Sequence, residues 1–208
     1  MVEEGGVLPK ESKEREGRKR IIIGMSGASV PQIGVRLLEV LTEDSLIETH
    51  LVISEGAKEV MKYEMGFGER DVAALEEKAS FAYHERNMAA SISSGSFKTD
   101  GMIVVPCSMK TLADIAWSRD ENLVSRAAIV CLKEGRKVVL VPRETPFTLS
   151  YAENIVQAIR NGAVVLPPLP AFYHGPQTID DIINHTVQKI LDQFGIEKNL
   201  FRRWETPS

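Results

Sequence analysis

Small and hydroxyl-bearing residues occur directly after several apolar runs of this chain. They lie at 26–29, 54 and 106–111, and a further polar segment, 142–144, follows another such run. Small residues and hydroxyls at the start of a helix offer backbone N–H groups to an anion. Helix capping alone would explain any one segment, but together they favour an anionic ligand such as a mononucleotide phosphate.

The usual phosphate-binding and metal-binding motifs are absent from the sequence. Gly27 begins no G-x-G-x-x-G fingerprint, and there is no Walker A segment. The only cysteines are Cys107 and Cys131, which rules out a four-cysteine zinc site and a disulfide framework. The four histidines show no metal-ligand spacing, so we expect no metal. Cys107 has no neighbouring histidine or acid and is predicted to be a small buried side chain rather than a nucleophile.

Charged residues follow or precede the same apolar runs. Arg143 and Glu144 come just after one run, Lys133 and Glu134 end the preceding helix, and Arg126 lies two turns earlier. A carboxylate held among cations stays ionised and suits a proton shuttle. The alternative is an ion-pair network at the rim of a cleft.

The segment 89–97, AASISSGSF, is dense in small hydroxyl residues. One interpretation is a flexible surface loop. The other is a loop that closes over a flat ring or meets a neighbouring subunit.

Apolar runs at 21–25, 49–53, 102–105, 138–141 and 163–166 alternate with helical patterns, and a final helix is predicted from about 178 to 194. Runs that are apolar on both faces are typical of a parallel sheet covered by helices. The prediction is an α/β fold with a single doubly wound parallel sheet, Rossmann-like, whose ligand lies beyond the carboxyl ends of the strands.

The loop after the first run leads directly into a helix. Pro31 suits the first helical position, with Ser29 or Val30 at the cap. Because the residue before a proline is restricted, Val30 is expected to be extended.

Composition sets the limits on function. The chain has 208 residues, 43% hydrophobic and 26% charged, with a formal net charge of −4. These values describe a globular protein and argue against nucleic-acid binding. No apolar run approaches the roughly 20 residues of a membrane helix. Two well-spaced thiols suit the cytoplasm. Residues 1–19 are predicted to form a disordered charged tail, and 20–208 one domain.

Several motifs, in order, resemble one known family. They are SGAS at 26–29, SISSGSF at 91–97, PCSMKTL at 106–112, LKE at 132–134, PRETP at 142–146, PPxPAFY at 167–173 and the closing Arg203-Trp204. Over about residues 20 to 205 the chain resembles the flavin prenyltransferases, the UbiX-like family formerly described as aromatic acid decarboxylases.

This resemblance implies a flavodoxin-like Rossmann fold, a homododecamer, and FMN bound where subunits meet. It implies transfer of a dimethylallyl group from dimethylallyl phosphate to N5 and C6 of reduced FMN, without a metal. The product, prenylated FMN, would serve UbiD-type decarboxylases of unsaturated and aromatic acids.

The resemblance also assigns residues. Catalytic roles fall on Ser29, Glu64, Lys133 and Glu144, with Glu144 as the acid–base carboxylate and Ser29 beside the flavin N5. The dimethylallyl phosphate site falls on Arg126, Lys133, Tyr173 and Lys189. The implied FMN contacts are Gly27, Ala28, Ser29, Ser54, Ser108, Met109, Lys110, Thr111 and Arg143.

Two positions depart from the family's usual sequence. The glycine that ends the family's Ser-Gly-Ala-Ser-Gly motif is Val30 here, and the usual arginine near the final helix is Lys189. They support an alternative, a protein that binds or carries FMN or prenylated FMN without turnover. A second alternative is an FMN-dependent cysteine decarboxylase of the same fold. Such enzymes have a Pro-Ala-Ser-Ala-Asn-Thr segment, which reads Pro-Cys-Ser-Met-Lys-Thr here, and an early histidine that this chain lacks.

Overall fold

A single parallel sheet of six strands, in the order β3-β2-β1-β4-β5-β6, forms the centre of the molecule. The computed structural model describes residues 17–204, so most of the predicted tail lies outside the described residues. The strands are β1 Lys19–Met25, β2 Ile47–Ile53, β3 Phe81–His84, β4 Gly101–Cys107, β5 Lys137–Pro142 and β6 Val164–Val165.

Helices cover both faces of this sheet, as the sequence predicts. They are α1 Pro31–Thr42, α2 Glu55–Met65, α3 Glu69–Lys78, α4 Met109–Ala116, α5 Leu123–Lys133, α6 Leu149–Arg160 and α7 Ile179–Asp192. One apolar core lies between the sheet and α1, α2, α3 and α7, and a second lies between the sheet and α4, α5 and α6. Across residues 17–204, no helix combines the length and apolar character that crossing a membrane requires.

The central strand β1 explains this three-layer arrangement. Ile21 and Ile23 enter one core, and Ile22 enters the other. Successive side chains of a strand point to opposite faces, so a continuous apolar run must be covered on both sides. The five predicted strands are confirmed. The pattern missed β3, because this short edge strand is largely exposed and lacks an apolar run.

The turn into α1 differs from the prediction at Val30. Pro31 opens the helix and Val30 is its cap, as expected, but Val30 is left-handed, with φ 68° and ψ 45°. The prediction of an extended Val30 is therefore wrong. Two tertiary contacts favour the turn over the local preference: the Val30 N–H donates to Glu64, and its side chain packs against the α1 core. Left-handed geometry is rare for a β-branched residue.

Candidate functional site at the carboxyl ends of the strands

The loops after β1 and β4 are hydrogen-bonded to each other at the point where the strand order reverses. The Ser26 N–H and Oγ both donate to the carbonyl of Pro106, at 3.1 Å each. The Ser108 N–H donates to Ser26 Oγ at 2.8 Å. Open α/β sheets bind ligands at this reversal. Sequence reasoning did not assign a role to the buried Ser26, although it is the first residue of the SGAS motif.

The loop after β2 joins this site through backbone contacts. The Ser54 N–H donates to the carbonyl of Met25 at 3.0 Å, and Ser54 Oγ caps α2 by accepting from the Ala57 N–H at 3.1 Å. A Cβ on Gly27 would lie 3.0 Å from the carbonyl carbon of Gly56. The two backbones can therefore approach this closely only because Gly27 has no side chain. Gly56 was not singled out from the sequence.

The start of α4 is organised by Ser108. Its hydroxyl donates to Thr111 Oγ1 at 3.0 Å and accepts from the Thr111 N–H at 3.2 Å. Lys110 Nζ lies 2.9 Å from the buried carboxylate of Asp114, which also pairs with Arg119 at 2.7 Å. Met109 and Thr111 are buried, so they shape the loop from beneath.

The carboxylate of Glu64 reaches the turn that follows SGAS. Its Oε2 accepts the hydrogen bond from the Val30 N–H at 3.0 Å. Glu64 is in the last turn of α2, and this bond places its carboxylate against residues 26–30, the loop that also contains Ser29. Ser29 and Glu64, to each of which the resemblance assigns a catalytic role, therefore lie at the same loop.

Lys133 and Glu144 lie at opposite ends of β5. Lys133 ends the helix that leads into Lys137, the first residue of β5, whereas Glu144 follows Pro142, the last. The strand alone separates them by about 17 Å, given roughly 3.3 Å per residue. Within one chain, the prediction that Glu144 lies close to Lys133 therefore fails. Lys133 instead pairs with Glu134 at 3.0 Å and lowers the pKa of that carboxyl.

Two arginines fasten the serine-rich segment. Arg126 Nε donates to the carbonyl of Ser93 at 3.2 Å, and Arg136 donates to the carbonyls of Gly95 and Phe97 at 2.6 and 2.7 Å. Ile92 is buried within the segment. Two arginines and a buried side chain tie the segment to the rest of the fold, which argues against the interpretation of a flexible surface loop.

Tyr173 and Lys189 form a separate group on α7 and the loop before it. The Tyr173 hydroxyl lies 3.1 Å from His185 Nε2, and Lys189 Nζ lies 3.9 Å from Asp192. Lys19 Nζ at the start of β1 donates to the carbonyl of Phe194, just after α7. Lys189, one turn before the end of α7, therefore lies towards the amino ends of the strands. No local sequence signal singles out His185, because its pairing with Tyr173 arises from tertiary packing.

Cys107 is a buried side chain, as predicted. It is fully buried, and this burial raises the pKa of its thiol far above the usual range. Among residues 17–204, no three His, Cys, Asp or Glu side chains are grouped so as to hold a metal ion.

Comparisons with known proteins agree on one family. A family model described as Flavoprotein matches residues 9–191. A probable UbiX-like flavin prenyltransferase of Escherichia coli O157:H7 is 52% identical over 186 residues, which are 89% of this chain and 93% of that protein. The crystal structure of a dodecameric FMN-dependent UbiX-like decarboxylase from the same organism superposes with a TM-score of 0.85 at 51% identity, covering 90% of this chain and all of that one.

A crystal structure of AnUbiX in complex with FMN and dimethylallyl pyrophosphate superposes with a TM-score of 0.87 at 42% identity, covering 92% of this chain and all of that one. The FMN-dependent cysteine decarboxylase TvaF reaches a TM-score of 0.62 at only 15% identity, which shows a common fold alone. With half of its residues shared across nearly its whole length, the chain belongs to the flavoprotein family and, within it, to the UbiX-like flavin prenyltransferases.

Proposed function

We propose that this protein is a flavin prenyltransferase that joins the dimethylallyl group of dimethylallyl phosphate to N5 and C6 of reduced FMN. The observation that carries the proposal is the hydrogen-bonded junction of the SGAS and PCSMKT loops, through Ser26 and Ser108, at the reversal of the strand order. Residues 20–208 would work as one flavoprotein domain. We further propose a cytoplasmic location, which suits its two free thiols.

The residues at the carboxyl ends of the strands fit FMN. The first turns of α1, α2 and α4 all open at this edge, and the positive ends of these helix dipoles suit a phosphate. Small residues leave room for a flat ring. The proposed contacts are Gly27, Ala28, Ser29, Ser54, Ser108, Met109, Lys110, Thr111 and Arg143.

We infer that the complete site requires more than one copy of the chain. Glu144 and the SGAS loop lie at the carboxyl ends of the strands, whereas Lys133 lies at the opposite end of β5 and Lys189 near the end of α7. Neighbouring copies in a homo-oligomer, which we propose to be a dodecamer, would supply Arg126, Lys133, Tyr173 and Lys189. This argument favours FMN bound where subunits meet.

The reaction breaks the allylic C–O bond, and the leaving phosphate takes the electron pair. Reduced FMN supplies the two nucleophilic ring positions that accept the five-carbon group. Arg126, Lys133 and Lys189 would neutralise the departing phosphate, which needs no metal because these cations can cover a single phosphate.

Proton transfer is assigned to Glu144. Its Oε1 accepts a hydrogen bond from the Thr145 N–H at 3.0 Å, which orients the carboxylate. The C=C bond of the N5-bound prenyl group would take up the proton that N5 releases, which opens the double bond and leaves a carbocation for C6 to attack. We assign the other oxygen, Oε2, to accepting the ring proton then displaced at C6. Ser29 and Glu64 would act together at N5, since Glu64 is held at the same loop by the Val30 N–H.

The proposed product is prenylated FMN, delivered to a UbiD-type decarboxylase. The cations around the donor decide whether it carries one phosphate or two. A diphosphate brings additional negative charge, which these cations would have to neutralise. The alternative, binding or carriage of FMN without turnover, rests on Val30 and Lys189.

The test is anaerobic incubation of the protein with reduced FMN and dimethylallyl phosphate, followed by mass analysis of the extracted flavin. We expect a flavin heavier by one five-carbon unit, and none from Glu144→Gln under the same conditions. Unmodified FMN, with dimethylallyl diphosphate also inactive, would overturn the enzyme proposal in favour of a carrier.

A further inference from the structure

A buried imidazole lies against the hydroxyl of an exposed tyrosine. His185, on α7, is only 8% exposed, whereas Tyr173, in the preceding loop, is 47% exposed. The distance between His185 Nε2 and the Tyr173 oxygen is 3.1 Å. The phenol can therefore meet a ligand while its oxygen is held from the protein side.

Three further rings, from the loop before α7 and the segment after it, hold this pair. His174 stacks on His185 with centroids 5.0 Å apart and an interplanar angle of 7°, and Phe201 lies 4.6 Å from His185. Trp204 meets the Tyr173 ring edge-on at 5.7 Å. Such packing leaves the phenol little rotational freedom, so its oxygen has a defined position.

The neutral form of the His185 imidazole is favoured near pH 7. Burial lowers the pKa of its imidazole below the ordinary value, and the nearby His174 and Lys189 add to that effect. A neutral imidazole carries one N–H, so one ring nitrogen donates and the other accepts.

The surroundings of the other ring nitrogen, Nδ1, decide which of the two nitrogens carries the proton. Within residues 17–204, His185 Nδ1 is buried and has no hydrogen-bond partner. A buried N–H without an acceptor is rarer than a buried acceptor without a donor. The favoured tautomer therefore carries its proton on Nε2 and donates it to the Tyr173 oxygen. The tyrosine O–H is then free to donate outward, to an anion.

The imidazole also borders a small cavity of about 180 Å³. Lys189 and Thr186 contribute its polar lining, and Leu166, Pro167 and Leu169 its apolar lining. A cation beside apolar side chains matches a short isoprenyl chain with a phosphate.

We propose that His185 is a positioning residue that donates to the Tyr173 oxygen, so that the Tyr173 O–H points at the phosphate of the prenyl donor. This inference rests on the proposed function, because it takes dimethylallyl phosphate as the ligand. In this proposal His185 acts through Tyr173 rather than by direct contact with the donor phosphate.

The test compares donor binding and turnover in His185→Phe, Tyr173→Phe and the double variant, each loaded with FMN. Each single variant should raise the Kd and KM for dimethylallyl phosphate about five- to tenfold, the value of one hydrogen bond, with kcat nearly unchanged. The double variant should bind no more weakly than Tyr173→Phe. His185→Gln, whose side-chain amide can donate near the Nε2 position, should restore most of the affinity. His174→Phe, which keeps the stacked ring, should bind like the parent protein.

Calorimetric titration of the donor keeps the two proposals separate, because it needs no turnover. If the parent protein binds the donor but makes no prenylated flavin, the enzyme proposal fails. The comparison of donor Kd between the parent protein and the His185 variants still tests the role of His185. The same Kd in His185→Phe and the parent protein, or additive losses in the double variant, would overturn the role of His185. So would a parent protein that binds no donor. FMN affinity, which should be unchanged, checks that each variant folds.

Discussion

The backbone N–H of Val30 donates to the carboxylate of Glu64, with 3.0 Å between nitrogen and Oε2. This bond ties the start of α1 to the end of α2, and it exists because Val30 is left-handed. Left-handed geometry costs an L-residue about 1–2 kcal/mol. Val30 thus holds a left-handed backbone conformation that glycine adopts more readily than any other residue.

Replacement of Val30 by glycine should change flavin binding little. Because Val30 already has φ 68°, Val30→Gly keeps the turn and the Glu64 hydrogen bond. We expect the Kd for FMN and the rate of prenyl transfer to stay within about threefold, less than the effect of one hydrogen bond. Fluorescence titration of FMN and mass analysis of the flavin provide the measurements. A tenfold gain in either would mean that valine distorts the loop.

The close approach of Gly27 and Gly56 offers a matched pair of variants. A Cβ on Gly27 would lie 3.0 to 3.2 Å from backbone atoms of Gly56, whereas a Cβ on Gly56 would come no closer than 3.4 Å to Gly27. Gly27→Ala should therefore displace the loop and weaken FMN binding at least tenfold, while Gly56→Ala should leave it unchanged. Gly56→Ala should also raise the free energy of unfolding by about 0.5 kcal/mol, since alanine favours a helix. Equal FMN affinities in the two variants would contradict this account of the loop.

The KM for dimethylallyl phosphate should depend on the geometry of the side chain at position 189 as well as on its charge. Arginine presents a planar fork that binds phosphate through two hydrogen bonds, whereas lysine acts as a point charge. We expect Lys189→Arg to lower the KM for dimethylallyl phosphate about threefold and Lys189→Gln to raise it about tenfold, in line with one charged hydrogen bond. Steady-state kinetics at saturating reduced FMN would show this. If Lys189→Gln kept the parent KM, Lys189 would have no part in donor binding.

Stability should fall as the pH drops below about 6.5, in part because of His50. Its imidazole is buried between Phe81, Tyr83 and Phe97 and bonded to Glu48 at 2.8 Å, with Arg20 on the same carboxylate. Burial lowers the pKa of His50, although Glu48 opposes that shift. The unfolded chain then binds a proton at a higher pH than the native state, so stability is lost as pH falls through the unfolded value.

Thermal unfolding between pH 7.5 and 5.5 tests this dependence. His50→Phe should flatten the slope of Tm against pH, even if it lowers Tm throughout. His84→Gln, at an exposed histidine, should keep the parent slope. If His50→Phe kept the parent slope of Tm against pH, His50 would not be a source of the pH dependence of stability.

Both thiols should resist modification in the native protein. Cys107 and Cys131 are fully buried, and burial raises the pKa of each thiol. Since the thiolate is the reactive form, a disulfide reagent at pH 8 should label neither cysteine within minutes and both after denaturation. Rapid labelling of the folded protein, assigned with Cys107→Ala, would show that one of these sites opens.

Local pattern alone determined the layered fold and the edge at which the ligand should lie. Apolar runs such as 21–25 must be covered on both faces, and the residues that end them must meet at one edge of a parallel sheet. The hydroxyl caps Ser54 and Ser108 and the burial of Cys107 follow from the same reasoning. The resemblance, carried by motifs at several strand ends, identified the family.

Tertiary structure decided what depends on residues far apart in the chain. The left-handed Val30 contradicts its local preference, because Glu64 and the core stabilise a turn that the residue itself disfavours. Lys133 and Glu144, only eleven positions apart, lie at opposite ends of β5, since a strand carries the chain from one edge of the sheet to the other. The pairing of Tyr173 with His185 arises only where α7 packs beside its preceding loop. A one-dimensional pattern records which groups a residue offers, but the packing of distant segments decides which groups meet.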